Sequence, residues 1–598
     1  VTSPVLAAEE ARVRLLGVEP ERAQARVQLG LILLLTVGVF WGVHQFAFVY
    51  DDKPLIVENE HIQYWRFLPG YFTGHFFTHM DAGARANYYR PVQLLWFRIN
   101  HFLFGPNPAA WHVTTLLVHL LAVGLLFAVA RELIGPGWVA AAAALFFALH
   151  PVHVEVVAWP SGVSELLVAV PALAAFLYFL RWRKTEARST YVATVGWLGV
   201  ALLAKENSLM LPALLAGTDW LLGREAQAAL PAAVRVRRVL QRTWPLFALA
   251  AAYLAARWFA LGGVMHAVTP LPASTVLFTW PGVLLFYARL LVWPVGLSAF
   301  YETPYITTAG LATFWLPLMA CALMAGLLVW TVRRCARAGV AVLWLVLPVA
   351  PLLNFTVFPQ GELAHDRYLF LPSIGFCLLL AFALTAARPV QPGHLPPLAI
   401  GVAVVVAAGY GALTAQQKWF WRDNLTLYLR GAAIAPGNNQ VTNNLANEYF
   451  DAGRRGEALA LYEQVVQRYP DYFLSRYNLG YAYYRLGRFA EAEPHLARAA
   501  ELNPGDPEPL VRLAQIHMRY GRLPAAEQNL RRAIALRPTA VGYNLVLGLC
   551  LQGQGRNAEA IAAYRAEMAF DPWRKVAHDR IVQLTGKEAT PPAPSPAR

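Results

Sequence analysis

The sequence predicts an all-α protein in two parts, a polytopic bundle of membrane-spanning helices followed by a solenoid of paired helices. Two patterns carry this reading. Apolar runs of spanning length recur up to about residue 415, and from residue 436 prolines, glycines and small residues return every 34 residues. Composition agrees: the 598 residues are 57% apolar and only 14% charged, against about 25% charged in soluble domains. Charges are scarce in the first part, apart from short basic clusters, and plentiful in the second. The formal charge of +14 comes from arginines clustered beside apolar runs, which points to membrane topology and not to nucleic acid. Cys321, Cys335, Cys377 and Cys550 lie far apart and offer neither a disulfide framework nor a zinc spacing.

Runs of roughly 17–25 apolar residues can cross a bilayer. They are read near 28–48, 109–131, 137–151, 164–181, 190–204, 207–222, 244–262, 311–331, 340–358, 368–386 and 397–415. The first is too long for a signal-peptide core and lacks a small-residue cleavage site, so it reads as a retained helix. Residues 1–27 before it are a cytoplasmic segment. Basic clusters fall at Arg12/Arg14/Arg22/Arg26, Arg181/Arg183/Lys184/Arg188, Arg224/Arg235/Arg237/Arg238/Arg242 and Arg333/Arg334/Arg337. About eleven spans with an inside N-terminus put every cluster in the cytoplasm. A further run, 276–294, would move the last cluster outside if it crossed, so it is placed at the outer interface and the C-terminus outside. Residues 51–108 mix aromatics with Arg, His and Asp, which suits short amphipathic helices on the outer surface.

The second part keeps strict register. Pro436, Pro470, Pro504, Pro538 and Pro572 stand 34 residues apart, and so do Gly453, Gly487, Gly521 and Gly555. Leu445, Leu479, Leu513 and Leu547 recur in the same frame, as do Ala458, Ala492, Ala526 and Ala560. This is the tetratricopeptide period, with small residues where two helices pack and Pro closing the second. Four repeats are expected in 416–585, with 419–436 as a lone second helix before them. The Pro-rich tail, 586–598, is expected to be disordered.

Ionisable residues at membrane depth or at span ends are costly and are functional candidates. Asp51-Asp52 follows the first span directly. Two adjacent carboxylates resist ionising together, so one can serve as a general base while the other orients a partner. A solvated helix cap is the alternative. His150, His153 and Glu155 form His-x-x-His-x-Glu, a metal-ligand pattern whose helical spacing Pro151 breaks. Structural, phosphate-binding and metal roles all stay open for them. Lys205-Glu206 reads as an ion pair at a tight turn. Glu362, His365, Asp366, Arg367 and Tyr368 share an outer loop, where Arg367 either clamps a phosphate or pairs with Asp366. Arg90 and Arg98 either meet an anionic headgroup or snorkel to the interface. These groups converge on one outer face and suit an anionic lipid substrate with a hydroxyl acceptor.

The segments FVYDDKPLIVEN, YYRPVQLLWFRINHFLFGPNPAAWHV, ALFFALHPVHVEVVAW, LLAKENSLMLPALL and RYLFLPSIGFCLLLA resemble the transmembrane and tetratricopeptide-repeat O-mannosyltransferases. TWPGVLLFYARLLVWPVGLSAFY is similar to that family's middle region. The resemblance runs through nearly the whole chain and extends to GT-C glycosyltransferases generally. It implies an inverting transfer of a sugar, mannose by the family's name, from a polyprenyl-phosphate carrier to Ser or Thr of a protein. Asp51 would be the base, Asp52 would support it or contact the acceptor, and Arg367, Arg90 or His153 would stabilise the leaving phosphate. The repeats would hold a secreted or envelope protein as acceptor. Four repeats are fewer than in the animal relatives, which leaves the acceptor range open. The Ala- and Arg-rich composition points to a bacterial inner-membrane protein with periplasmic repeats and an undecaprenyl- or decaprenyl-linked donor. A divalent cation, Mg or Mn, would take Asp51, Asp52, Glu155 and His153; metal dependence stays open. A non-enzymatic scaffold and a lipid-linked-sugar transporter are the rival classes. An anchor needs one span, and a transporter calls for two matching halves, which this sequence lacks.

Overall fold

The computed structural model describes residues 4–77, 87–224, 229–263, 271–357, 363–384, 396–570 and 575–586. Among these residues every regular element is helical. Contacts divide the chain into two units, Val1–Ala435 and Pro436–Arg598. The helix Asn424–Ile434, which the sequence joined to the repeats, falls in the first unit.

In the first unit nine helices are long and apolar enough to cross a membrane, or ten if the bent pair Trp138–Leu149 and Pro151–Ala158 is one span. The 49° bend of that pair has a local cause: Pro151 lacks an N–H, and His150 before it is extended at φ −67°, ψ 126°. Burial sorts the spans. Pro160–Thr185 is 89% buried and forms the centre of the bundle, whereas Leu311–Arg334 is 6% buried and exposes Leu323, Leu327 and Trp330, as a helix facing lipid does.

The last three basic clusters meet at one end. Arg183 and Arg242 share Asp219, Arg181 and Lys184 share Glu132, and Arg224 reaches the Val332 carbonyl. Ser164 and Arg183 lie near opposite ends of one helix, about 29 Å apart at ~1.5 Å per residue. Ser164 therefore sits a bilayer core away from the basic end. Arg188–Ala204 and Glu206–Leu222 are short, yet Tyr191 and Asp219 stand at the basic end and Lys205 and Glu206 at the other.

Ala273–Val292 passes the length test but behaves differently. Trp280 donates to the Leu353 carbonyl, Leu291 meets His150 and Tyr410, and by Leu297 the chain lies against Gln417 and Arg430. By length and composition the described residues offer nine spans, or ten with the bent pair, Ala273–Val292 counted among them. Residues 53–73 and Pro91–Phe104 supply the short helices expected after the first span.

The second unit is four antiparallel helix pairs, Asn439–Asp451 to Asn557–Phe570, closed by Lys575–Thr585. The recurrent glycines turn each pair: Gly453, Gly487, Gly521 and Gly555 have φ between +71° and +79°, which other residues rarely adopt. Ala458, Ala492, Ala526 and Ala560 are fully buried where the helices cross, and the recurrent leucines are buried beside them. The last helix covers the exposed flank of the fourth pair with Ala577 and Ile581. Residues 587–598, and Glu362 in the first unit, lie outside the described residues.

Candidate active site

A cavity of about 420 Å³ opens at the end of the bundle away from the basic clusters. Its wall is built by the turn after the first span (Asp51, Leu55), the surface segment (Phe76, Phe77, Tyr88, Arg90), and the N-terminus of the central span (Ser161, Gly162, Ser164). The turn Lys205–Asn207, together with Arg257, Leu352, Asn354, Arg367 and Tyr368, completes it. The lining mixes apolar side chains, among them Phe76, Phe77, Leu254 and Leu352, with ionisable groups.

Most of those charges are already matched. Arg90 forms a two-point pair with Glu206 at 2.5 and 3.1 Å, Lys205 pairs with Glu165, and Arg367 pairs with Glu155. Lys205 and Glu206 do not pair with each other, and Asp366 accepts from Tyr301 instead of Arg367. Bidentate, desolvated pairs of this kind hold their geometry. Burial lowers Lys205, opposed by Glu165.

Two charges remain without an opposite partner among the described residues. The Asp51 carboxylate faces the cavity and accepts no hydrogen bond there. Burial raises it to about 6, against the lowering charge of Arg367, so near neutral pH it is ionised and basic enough to take a proton. Arg257 is the other. It is 8% exposed, donates one nitrogen to the Asn87 carbonyl at 2.8 Å, and leaves Nη1 buried without a partner. The sequence reading passed over Arg257 inside the apolar run 244–262. The available signal was simply a charge within a span.

Asp52, next to Asp51, points the other way. It is fully buried and accepts from the Ser161 N–H at 2.8 Å, the Ser161 hydroxyl, and the Val49 N–H at 3.0 Å. Burial nevertheless raises it to about 7, the neighbouring Asp51 charge adding to the rise. Its geometry is that of a strut tying the Asp51 turn to the central span.

Four further candidates are turned away from the cavity. Arg98 donates to the Ile62 carbonyl at 2.9 Å under the Trp65 ring. His150 bonds the Leu291 carbonyl, His153 bonds Ser373 at 2.8 Å, and His365 bonds the Ala299 carbonyl at 3.0 Å. All four are buried in packing. Glu155 lies behind Arg367 and fixes it, while Arg90, Arg367 and Tyr368 do line the wall. The expected cation ligands do not converge. Asp52 and Glu155 are saturated by N–H and O–H donors, and no group of three His, Cys, Asp or Glu among the described residues is placed to hold a metal.

The tetratricopeptide-repeat family matches residues 443–507 and 486–540. Protein O-mannosyl-transferase TMTC3 of Mus musculus is 26% identical over 515 residues, covering 80% of this chain and 55% of that protein. Its Drosophila melanogaster counterpart is 24% identical, covering 81% and 60%, and the Homo sapiens protein 25%, covering 80% and 55%. The chain thus spans little more than half the length of these curated relatives. Among solved structures, YrrB, "a TPR protein with an unusual peptide-binding site", is 18% identical over 27% of this chain and 82% of its own, at a TM-score of 0.25. A match to 80% of the chain exceeds the 435 residues of the first unit and must reach the repeats. The chain is a relative of the protein O-mannosyl-transferases, a multi-pass membrane protein with a tetratricopeptide-repeat array as its C-terminal unit.

Proposed function

We propose that the chain is a membrane glycosyltransferase that moves a sugar from a polyprenyl-phosphate carrier to a protein hydroxyl. One observation carries the reading: among the described residues that line the cavity, Asp51 and Arg257 are the carboxylate and the guanidinium left without an opposite charge after pairing. Those are the two charges that the reaction asks for. Asp51 takes the proton of a Ser or Thr hydroxyl as that oxygen attacks the anomeric carbon. The bond from this carbon to the phosphate oxygen breaks, its electron pair leaves with the phosphate, and configuration inverts. Arg257 matches the anionic phosphate before and after cleavage. Arg367, held by Glu155, keeps Asp51 ionised at working pH and is a further contact for the leaving oxygen. Mannose is the sugar in the relatives' names. The apolar wall of Phe76, Phe77, Leu254 and Leu352 suits the first isoprene units.

The positive-inside rule supports a cytoplasmic basic end and hence a cavity that opens to the outer face, periplasmic in a bacterium. The repeats hold the acceptor protein and raise the local concentration of its hydroxyls.

The test is transfer by purified protein in nanodiscs from a panel of polyprenyl-phosphate sugars to extracted envelope proteins, with mass spectrometry of the acceptors. Wild type should transfer, and Asp51→Asn should fall to background while remaining folded. Activity in Asp51→Asn would overturn the base assignment. Deleting 436–598 should raise the KM for protein acceptors while leaving donor binding intact; equal loss of both would make the array structural.

A further inference from the structure

Asp51 and Asp52 are chain neighbours in opposite surroundings, one facing the cavity and one sealed against Ser161. The backbone just before them explains how. Tyr50 has φ +54°, the left-handed region that a bulky side chain adopts only when its surroundings impose it. That turn sets the direction in which the Asp51 carboxylate leaves the chain.

Several contacts impose it. The Tyr50 ring packs on Phe300 and Trp159, with centroids 5.5 and 5.6 Å away. Trp159 in turn stacks on Trp421. The Tyr50 N–H donates to the side-chain oxygen of Asn424 at 2.8 Å, and three residues earlier the Ala47 N–H donates to the Arg422 carbonyl at 3.0 Å. Asn424 is the first residue of the helix Asn424–Ile434, anchored by Asp423, whose carboxylate accepts from the Thr426 N–H at 2.7 Å. A capped helix start is a rigid mount, so the amide oxygen of Asn424 is a fixed acceptor for the peptide that precedes Asp51.

We infer that Asn424 is a positioning residue for the reaction: its side-chain oxygen holds Tyr50 in the left-handed conformation that aims Asp51 into the cavity. The inference rests on the reading of Asp51 as the base. Asn424 is not among the residues that line the cavity and sits more than 370 residues along the chain from Asp51. Its effect on turnover passes through the Tyr50 peptide.

Two substitutions separate this role from general support. Asn424→Leu keeps the size and removes the acceptor. Asn424→Asp keeps an acceptor oxygen and suits a helix N-terminus. In the transfer assay, Asn424→Leu should lower kcat by about ten- to a hundredfold through misplacement of the base, with both KM values within about twofold of wild type. Asn424→Asp should restore most of the rate. Hydrogen–deuterium exchange supplies a readout independent of activity: amides of residues 49–53 should exchange faster in Asn424→Leu and at the wild-type rate in Asn424→Asp. An unchanged kcat in Asn424→Leu, or equal loss in both variants, would overturn the inference. If Asp51→Asn is as active as wild type in the same assay, it is the base assignment that fails, and the exchange data still show whether Asn424 holds the turn.

Discussion

Replacing Arg257 by Gln tests the charge balance of the cavity most directly. In the free protein this guanidinium is 8% exposed, has one nitrogen on the Asn87 carbonyl and another without a partner. An unpaired buried cation costs stability, so its removal should leave thermal stability unchanged or raised. Binding should respond in the opposite sense. A hydrogen bond between charged groups contributes about 1.5–3 kcal/mol, which at ~1.4 kcal/mol per decade is roughly ten- to a hundredfold in affinity for a phosphate. The assay compares a short-chain polyprenyl phosphate with the corresponding alcohol, followed by fluorescence of the protein in nanodiscs, since Trp159 lines the cavity. Wild type should prefer the phosphate; Arg257→Gln should lose roughly ten- to a hundredfold of that preference and bind the alcohol as wild type does. Loss of both ligands would indicate a collapsed cavity, and an undiminished preference for the phosphate would refute the assignment. Arg90→Gln is the contrasting control, because it strands Glu206 and should destabilise the fold by about 3–5 kcal/mol.

Two further predictions concern protonation and packing. Asp51 acts as a base only when ionised, and burial raises it to about 6; transfer should therefore hold above that pH and fall about tenfold per unit below it, and a flat rate between pH 5 and 8 would exclude Asp51. Gly375 packs against Ala336–Val346, where an added Cβ would stand 2.3 Å from the Ala341 oxygen and the Leu345 nitrogen. Gly375→Ala should cost roughly 1–3 kcal/mol or more, read as a lowered midpoint in thermal unfolding. Gly401→Ala, with nothing within 4 Å, should stay within about 0.5 kcal/mol.

What the sequence determined by itself is what local physics dictates. Hydropathy over a helix length marks the spans, because a bilayer demands apolar residues and internally satisfied backbone. The 34-residue period marks the repeats, because each pair needs the same small residues at its crossing and the same left-handed glycine at its turn. Asp51-Asp52 was legible as a candidate for the same reason, two carboxylates at the end of a span. Which of the two faces the cavity was not legible, since it depends on the φ of Tyr50 and on Asn424, remote in sequence. Charge pairing was equally hidden. Lys205-Glu206 looked like a pair, yet each finds its partner on another segment, and Arg367 joins Glu155 across 212 positions. His150, His153, His365 and Arg98 carried the right chemistry in the right region, but packing turned them inward. Only tertiary structure decides which charges cancel; among the described residues it leaves Asp51 and Arg257 unmatched at the cavity wall, because Arg90, Glu206, Lys205 and Arg367 find opposite charges within the fold.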